Sequence, residues 1–343
     1  MSERKLKWGI LGAARVNQRL LPAIMEAKNA ELTAIASRRS GAARAVLEKY
    51  APVSDYANVT CYNDMESLLT DERIEAIYCP MANEEHAEWA VKAIQAGKHV
   101  LIEKPMTTNL ADINVIESAA KKHGVKVMEG FMYRFHPQHI KIQQMIDSGL
   151  IGDVLSARAS FSFLMQPARM YRIDRSVAQG GGAMWDIGPY AIHTLRWCFQ
   201  QDGVPADPTA VIAHAKLNEY GADIVTSGVL DFGVDKKGRA RFGHFDISFE
   251  RSRKAEYEII GDKGWIKCHN VWVYGTDVPV ISWETEDGVS VEEKLPINNH
   301  FNLEIEHFSD CVLNDLAPLL TFDDAKGNCM TIESILQSIA TDI

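Results

Sequence analysis

The stretch Leu6–Asn17, LKWGILGAARVN, decides the fold of this chain. Its apolar half, Leu6–Leu11, has the length and composition of a buried strand, and it runs directly into a turn that opens a helix. Chains that bind dinucleotides place a turn here, because N–H groups at the helix N-terminus cradle a pyrophosphate. Gly12 holds the first glycine position, whereas Ala14 and Asn17 stand where further glycines are usual. The turn alone is therefore also consistent with a plain strand-to-helix connection that binds no nucleotide.

The pattern that starts at Leu6 continues to about residue 130, with short apolar runs alternating with amphipathic stretches. This alternation is typical of repeated βαβ units and predicts an α/β Rossmann domain with a doubly wound parallel sheet. The further predicted strands are Leu32–Ala36, Ala76–Cys79, His99–Ile102 and Val125–Glu129. Helices are predicted over residues 15–27, 41–50, 84–96 and 109–123.

Beyond about residue 150 the apolar side chains recur with period two, which is typical of strands that bury one face. Such runs predict an α+β domain with a large open antiparallel sheet. The runs lie at residues 154–163, 208–216, 223–232, 241–250, 255–260 and 279–284, and helices are predicted at 181–200, 299–314 and 323–341. We therefore expect a dinucleotide-binding Rossmann domain over residues 1–130. A substrate and oligomerisation domain should span 131–343, with C-terminal helices over about 299–343.

Composition excludes several classes of function. The 343 residues include 36 Lys and Arg against 46 Asp and Glu, a net charge of −10, which disfavours a nucleic-acid partner. An apolar run of about 18 residues, as a membrane span needs, does not occur, and residues 1–7 lack the apolar core of a signal peptide. The six cysteines are scattered singly, so no metal site or disulfide frame is predicted. We expect a cytoplasmic protein that works without metal and without a membrane.

The residues after the second strand indicate which dinucleotide is bound. Ser37-Arg38-Arg39 lies about 25 residues past Gly12, where an acidic residue would bind the ribose 2′-hydroxyl of NAD. The guanidinium of Arg38 can instead fork onto a 2′-phosphate while Ser37 donates its hydroxyl, so NADP is favoured over NAD. A solvated basic turn is the alternative. Cofactor contacts are expected from Ser37, Arg38 and the turn residues Gly12, Ala13, Ala14, Arg15 and Val16.

Two further clusters carry groups suited to chemistry. Lys104, in Glu103-Lys104-Pro105, follows the strand His99–Ile102 at the edge of the sheet where open α/β proteins bind ligands. Pro105 restricts Lys104 to extended geometry and so fixes where its amine points. The second cluster is the stretch GGGAMWDIGPY, which ends at Tyr190. If a helix starts near its alanine, Asp186 and Tyr190 share one helix face.

With these motifs the chain resembles the Gfo/Idh/MocA family, the glucose–fructose oxidoreductase and inositol dehydrogenase group. The motifs follow one another in the family's order over residues 6–190. They are the G-A-A turn, P-x-x-N-x-x-H from Pro80 to His86, AGKHVLIEKP over Ala96–Pro105, MEGFMYRFHP over Met128–Pro137, and G-G-G-A-x-x-D-I-G-x-Y.

The resemblance implies a hydride transfer between NADP and a sugar or polyol, with Lys104, Asp186 and Tyr190 as catalytic residues. It also implies cofactor contacts from Pro80, Asn83, His86, Glu103 and Lys104, and a homodimer or homotetramer formed through the open sheet. Many relatives have His at the last catalytic position. Tyrosine there resembles the branch of glucose–fructose oxidoreductase, 1,5-anhydrofructose reductase, xylose dehydrogenase and dihydrodiol dehydrogenase.

The residue types suit the implied chemistry. Hydride transfer at a secondary alcohol requires a proton to leave or join the oxygen, and tyrosine, whose ordinary pKa is about 10, needs a neighbouring ammonium to act as a base at neutral pH. We expect Tyr190 to exchange the proton while Lys104 holds the substrate oxygen and tunes the phenol. Either of these two could be the direct donor. Asp186 would fix another hydroxyl or the lysine.

Five residues are secondary candidates for substrate contacts: Tyr133, Arg134, Arg172, Asp174 and His193. Arg172 could equally form an ordinary ion pair, and His193 could cap or pack. Two other functions stay open: a trans-dihydrodiol or xenobiotic dehydrogenase, whose pocket should be aromatic, and a non-catalytic NADP-binding sensor.

Overall fold

The computed structural model describes residues 4–51, 56–201, 203–272 and 278–341. The chain divides into two compact units. The first comprises Met1–Met132 and Asn299–Ala325, and the second comprises Tyr133–Asn298 and Lys326–Ile343. The sequence placed all C-terminal helices in the second domain, whereas the segment Asn299–Ala325 packs with the first unit.

The first unit contains a six-stranded sheet in which all neighbouring strands are parallel, in the order β3-β2-β1-β4-β5-β6. This order is that of a doubly wound dinucleotide-binding sheet, so the predicted Rossmann fold is confirmed. The elements in chain order are β1 (Leu6–Leu11), α1 (Asn17–Glu26), β2 (Ala30–Ala36), α2 (Ala42–Tyr50), β3 (Thr60–Tyr62), α3 (Met65–Leu69), β4 (Ala76–Cys79), α4 (His86–Gln95), β5 (His99–Glu103), α5 (Leu110–His123) and β6 (Val127–Gly130).

Two short elements of this unit, β3 and α3, escape sequence analysis. Strand β3 has three residues, all half-buried at the sheet edge, so neither a continuous apolar run nor an alternation marks it. Helix α3 has five residues and begins where the carboxylate of Asp64 accepts the N–H of Ser67 at 2.6 Å. Elements of this length carry too few positions to show a period.

The second unit contains an eight-stranded sheet in the order β14-β13-β12-β11-β7-β10-β9-β8. Its elements are α6 (Pro137–Asp147), β7 (Val154–Ser162), α7 (Ala183–Asp186), α8 (Gly188–Cys198), β8 (Ala210–Leu217), β9 (Asp223–Val234), β10 (Ala240–Ser248), β11 (Lys254–Gly261), β12 (Gly264–His269), β13 (Val280–Thr285) and β14 (Ser290–Lys294). Between them lie short 3₁₀ turns, one of which covers Pro167–Arg172.

This sheet is mixed, because β7 and β10 pair in parallel while the other neighbouring strands are antiparallel. The expected large open antiparallel sheet is confirmed, and the parallel pairing of β7 with β10 is a feature that the sequence did not predict. A long connection through α7 and α8 follows β7, and long connections can return the chain to a sheet from the same end. Period-two alternation in a sequence does not distinguish the two kinds of pairing.

Two helices close the chain, α9 (His300–Leu313) and α10 (Phe322–Thr341). Helix α9 covers β1 and α1 in the first unit. The indole N–H of Trp8 donates to the hydroxyl of Ser309 at 3.1 Å, the rings of Trp8 and Phe308 lie 5.6 Å apart, and the amide of Asn302 donates to the carbonyl of Ala23 at 2.9 Å. No helix in the described ranges combines the length and apolar composition needed to cross a membrane.

Glu304 of α9 is a fully buried carboxyl inside the first unit. Neither of its carboxyl oxygens has a hydrogen-bond partner among the described residues. Burial raises the pKa of this carboxyl well above its ordinary value, and the nearby charge of Glu103 raises it further. The neutral acid is therefore the form that the folded protein prefers.

We predict that Glu304→Gln changes how stability depends on pH. The folded protein holds this proton to a higher pH than the unfolded chain, in which glutamate has a pKa of about 4.3. The contribution to the free energy of unfolding is thus complete below that pH and is lost as the pH rises toward the folded pKa. Glutamine keeps the shape and does not ionise. Urea denaturation should therefore show the variant gaining stability relative to the wild type between pH 5 and pH 8.

Glu72→Gln is the matched control for this prediction, since Glu72 is an exposed carboxylate of the same unit. Its stability relative to the wild type should stay constant over the same pH range. If Glu304→Gln behaved like this control, Glu304 would be ionised in the folded protein and the prediction would be wrong.

Candidate active site

A cavity of about 220 Å³ lies at the carboxyl ends of β1, β2 and β4 in the first unit. The sheet order reverses at β1, and open α/β sheets bind ligands at this point. The walls of the cavity are Gly12, Ala13, Ala14, Ser37, Arg38, Arg39, Met65, Pro80, Met81, Ala82 and Glu85. The structure thus gathers six of the predicted cofactor residues, Gly12, Ala13, Ala14, Ser37, Arg38 and Pro80. The other six lie outside this wall, and their cofactor contacts stay predictions: Arg15, Val16, Asn83, His86, Glu103 and Lys104.

The turn after β1 keeps its shape with one glycine and one buried amide. Gly12 has φ +123°, a conformation that favours glycine, and its N–H donates to the carbonyl of Ala36 at 2.9 Å. Asn17 is fully buried, and its side-chain amide donates to the carbonyl of Gly12 at 2.9 Å. Sequence analysis assigned Asn17 no role, and the structure shows that its side chain stabilises the turn after β1.

Charged side chains surround the end of β2. The two terminal nitrogens of Arg38 bind the two carboxylate oxygens of Glu85, at 2.7 and 3.0 Å. Arg39 donates to the carbonyl of Ala13 at 3.1 Å, and its backbone N–H donates to the hydroxyl of Ser37 at 3.2 Å. Sequence analysis missed Arg39, Glu85, Met65, Met81 and Ala82. The S-R-R run could have marked Arg39, but no pattern marks Glu85.

Lys104 follows β5 in a segment that is fixed on both sides. The carboxylate of Glu103 accepts the hydroxyl of Tyr78 at 2.5 Å and the backbone N–H of Lys104 at 3.2 Å. The backbone N–H of Met106 donates to the buried carboxylate of Glu129 at 2.7 Å. The peptide between Lys104 and Pro105 is cis. The carboxylates of Glu103 and Glu129 therefore fix the backbone on either side of Lys104, whose side chain is half-buried.

His86 links this segment to the cavity. Its Nδ1 lies 2.8 Å from the carbonyl oxygen of Pro105 and its Nε2 lies 2.9 Å from the carbonyl oxygen of Met81. A neutral imidazole carries only one N–H, whereas both carbonyls can only accept. Burial lowers the pKa of His86, which opposes the doubly protonated form that would satisfy both. The imidazole fills the space between the two segments and holds at least one of them.

In the second unit, the glycine run gives α7 its starting point. Gly182 has φ +105°, and a Cβ there would come within 2.2 Å of the carboxylate of Asp223. That carboxylate accepts the N–H of Met184 at 2.9 Å and the hydroxyl of Thr226 at 2.7 Å, and full burial raises the pKa of Asp223 to about 6. Sequence analysis missed Asp223, whose position at the start of β9 carries no signal.

Helix α7 begins at Ala183 as predicted and ends at Asp186, and Tyr190 lies in the first turn of α8. The predicted single helix is therefore two short helices joined at Ile187. Asp186 is 7% exposed and forms an ion pair with Arg172, which comes from the 3₁₀ turn Pro167–Arg172. The charge of Asp186 raises the pKa of Arg172 above its ordinary value. The structure shows the ion pair, and contact of Arg172 with a substrate stays a prediction.

Aromatic rings surround Tyr190. Its ring centroid lies 5.8 Å from that of Phe161, 6.2 Å from that of Tyr133 and 6.3 Å from that of Trp272. Its backbone carbonyl accepts the hydroxyl of Thr194 at 2.8 Å. The phenol of Tyr190 thus extends from a closely packed cluster, and its orientation is set by that packing.

The other predicted substrate residues are placed differently. Tyr133 and His193 are fully buried, and the Tyr133 hydroxyl lies 2.5 Å from Nδ1 of His193. Arg134 lies over the ring of Trp197, 5.0 Å from its centroid. Asp174 is exposed. Their contact with a substrate stays a prediction. Within the described ranges, the structure assembles no group of three His, Cys, Asp or Glu that could hold a metal.

Comparison with known proteins places the chain in a family. A model described as "Oxidoreductase family, NAD-binding Rossmann fold" matches residues 6–131, and one described as "GFO/IDH/MocA C-terminal domain" matches residues 139–267. Together the two matches cover most of the chain. The chain belongs to the Gfo/Idh/MocA oxidoreductase family. The resemblance inferred from the motifs is confirmed.

Members of the Gfo/Idh/MocA family align over nearly the whole chain. It is 31% identical to the dTDP-3,4-didehydro-2,6-dideoxy-alpha-D-glucose 3-reductase of Actinomadura kijaniata, over 96% of this chain and 94% of that protein. It is 30% identical to D-xylose 1-dehydrogenase (NADP(+)) 2 of Haloferax volcanii, over 98% of each. The crystal structure of a 3-ketoreductase from Actinomadura kijaniata with NADP and TDP-benzene superposes with a TM-score of 0.82 at 28% identity, covering 98% of both chains.

We predict that the Arg172–Asp186 pair contributes to stability as a unit. Arg172→Met leaves the carboxylate of Asp186 buried without its cation, and we expect a loss of about 2 kcal/mol in the free energy of unfolding, because Arg172 itself is partly exposed. Adding Asp186→Asn should recover most of that loss. Chemical denaturation of the two single variants and the double variant measures the coupling. Additive losses would show that the pair is not coupled.

Proposed function

We propose that the protein is an NADP(H)-dependent oxidoreductase that moves a hydride between nicotinamide and a carbinol or carbonyl carbon of a sugar or polyol. The observation that carries this proposal is the cavity at the reversal point of the sheet, with Arg38 and Ser37 in its wall, in a family member that keeps Lys104, Asp186 and Tyr190.

The residues of the cavity fit NADP. The backbone of Gly12, Ala13 and Ala14 would hold the pyrophosphate, and the guanidinium of Arg38 would hold the 2′-phosphate. Haloferax volcanii xylose dehydrogenase is named for NADP(+), and solved structures of the Actinomadura kijaniata 3-ketoreductase contain NADP, which supports the same cofactor here. When bound, NADP(H) supplies or accepts the hydride. NAD is the less favoured cofactor.

The protein's own residues would handle the proton. In the reducing direction the substrate carbonyl oxygen takes a proton as its carbon takes the hydride, and Tyr190 is the proposed donor. Lys104 would hold that oxygen and favour the tyrosinate that remains, although either residue could be the direct donor. Asp186, held by Arg172, would fix another hydroxyl or the lysine. Solved structures of the 3-ketoreductase include variants of one lysine and of one tyrosine, which supports these residue types.

The substrate class rests on the relatives. They are named as enzymes of xylose, of a dTDP-linked dideoxyglucose and of 1,5-anhydro-D-fructose. A second candidate is a trans-dihydrodiol dehydrogenase. It is favoured by the rings of Phe161, Tyr133 and Trp272 around Tyr190, and by a relative named trans-1,2-dihydrobenzene-1,2-diol dehydrogenase from Xenopus laevis, 27% identical over 97% of this chain.

We also propose that the protein works in the cytoplasm as a homodimer or homotetramer. All six cysteines are free thiols, which suits a reducing compartment. The open face of the eight-stranded sheet carries exposed apolar side chains, among them Ile212 at 67% and Phe242 at 38% exposure, and association would cover them.

The proposed reaction is tested by measuring the change in NADPH or NADH absorbance with time. Ketoses and keto-sugars are offered in the reducing direction, and aldoses, cyclic polyols and dihydrodiols with NADP⁺ or NAD⁺ in the oxidising direction. Turnover of a sugar with NADP(H) is the expected result. Turnover of dihydrodiols alone selects the second candidate, and tight nucleotide binding without any turnover favours the non-catalytic sensor.

We predict that Lys104→Ala and Tyr190→Phe each lower kcat by roughly 10²- to 10⁴-fold, the usual contribution of a positioned acid or base. The dissociation constant for NADPH, measured by fluorescence titration, should change little for Tyr190→Phe. Lys122→Ala, which removes an exposed lysine of α5, should leave kcat unchanged. A Lys104→Ala variant that retained most of its turnover would refute the assignment of this lysine.

A further inference from the structure

Arg38 and Glu85 follow two strands that are not neighbours in the sheet, and their side chains form an ion pair across the strand between them. Arg38 follows β2 and Glu85 follows β4, and these two strands flank β1 on opposite sides. The ion pair therefore passes above the carboxyl end of β1. The turn after β1 and both members of the pair line the same cavity. A dinucleotide bound in that cavity would lie beside the pair.

The pair uses the part of Arg38 that a phosphate would use. Both terminal nitrogens of the guanidinium face the carboxylate of Glu85, at 2.7 and 3.0 Å, in the fork geometry by which arginine also binds phosphate. The Arg38 side chain is 58% exposed and that of Glu85 is 26% exposed, so water and ligands reach the pair. Glu85 therefore pairs with the guanidinium of Arg38 and leaves it accessible to solvent.

Other acidic groups act on Arg38 only at longer range. The charges of Glu88 and Glu66 influence the guanidinium, but neither lines the cavity. Both lie beside Lys92, whose amine is 2.6 Å from the carboxylate of Glu88 and 3.9 Å from that of Glu66. Glu85 is thus the carboxylate in direct contact with the group that would select the cofactor.

We propose that Glu85 is a cofactor-specificity residue that competes with the 2′-phosphate of NADP for Arg38. This inference rests on the proposed function, since it requires NADP to bind in this cavity. The phosphate must displace the carboxylate from the guanidinium and then remain close to it as a like charge. NAD carries a neutral hydroxyl at that position and meets no such competition. Arg38 creates a preference for NADP over NAD, and Glu85 therefore makes that preference smaller.

The test compares two fragments that differ by the 2′-phosphate alone. Isothermal titration of the full-length protein with 2′,5′-ADP and with 5′-AMP gives the ratio of their dissociation constants. Glu85→Gln keeps the shape and removes the charge, and we expect it to raise the preference for 2′,5′-ADP by about five- to tenfold while leaving 5′-AMP binding within about twofold. The gain should shrink as salt is raised, because salt screens exposed charges.

Glu84→Gln is the matched control, since Glu84 is an exposed neighbour of the same charge that lies outside the cavity wall formed by the described residues. It should leave the preference within about twofold. Arg38→Gln should abolish most of the preference, and in that background Glu85→Gln should have a smaller effect than it has alone.

Two results would overturn the inference and leave the proposed function standing. One is an unchanged preference in Glu85→Gln. The other is a reduced preference, which would mean that Glu85 positions Arg38 for the phosphate. A wild type without any preference that neither Arg38→Gln nor Glu85→Gln alters would overturn both the inference and NADP as the proposed cofactor.

Discussion

The position of strand β1 between β2 and β4 is the constraint on which the first unit depends. Parallel strands present their carboxyl ends at one edge, so three separate loops meet where the sheet order reverses. Gly12, Arg38 and Glu85 are far apart in sequence and become neighbours for this reason alone. The strand can hold this place because Leu6, Trp8, Ile10 and Leu11 are all completely buried.

The second unit fixes its candidate residues by a different device. Gly182 lets the backbone approach the buried carboxylate of Asp223, and that carboxylate holds the start of α7. Asp186 is the last residue of α7 and pairs with Arg172, and Tyr190 lies in the first turn of α8 among aromatic rings. Polar contacts therefore determine where α7 begins, and aromatic packing determines the orientation of the Tyr190 phenol. Glycine is needed at position 182 because a side chain there would collide with the carboxylate of Asp223.

Sequence reasoning predicted what depends on local pattern. Strands β1 and β4 were predicted with their observed bounds, and the parallel sheet followed from the alternation of strands and helices. It failed where the determining partner lies far along the chain. Nothing near Glu85 indicates that it faces Arg38, nothing near Asp223 indicates the helix that it holds, and the parallel pairing of β7 with β10 depends on a long connection.

Helix α9 gives the first unit an unusual dependence on the order of synthesis. Phe308 and Ser309 cover Trp8, and Ser309 lies 301 positions further along the sequence. The strands of the Rossmann sheet therefore leave the ribosome long before α9 does, and β1 cannot reach its final burial until α9 has been synthesised. A fragment ending at residue 132 would lack that layer, and the side of Trp8 that packs against α9 would lose its cover.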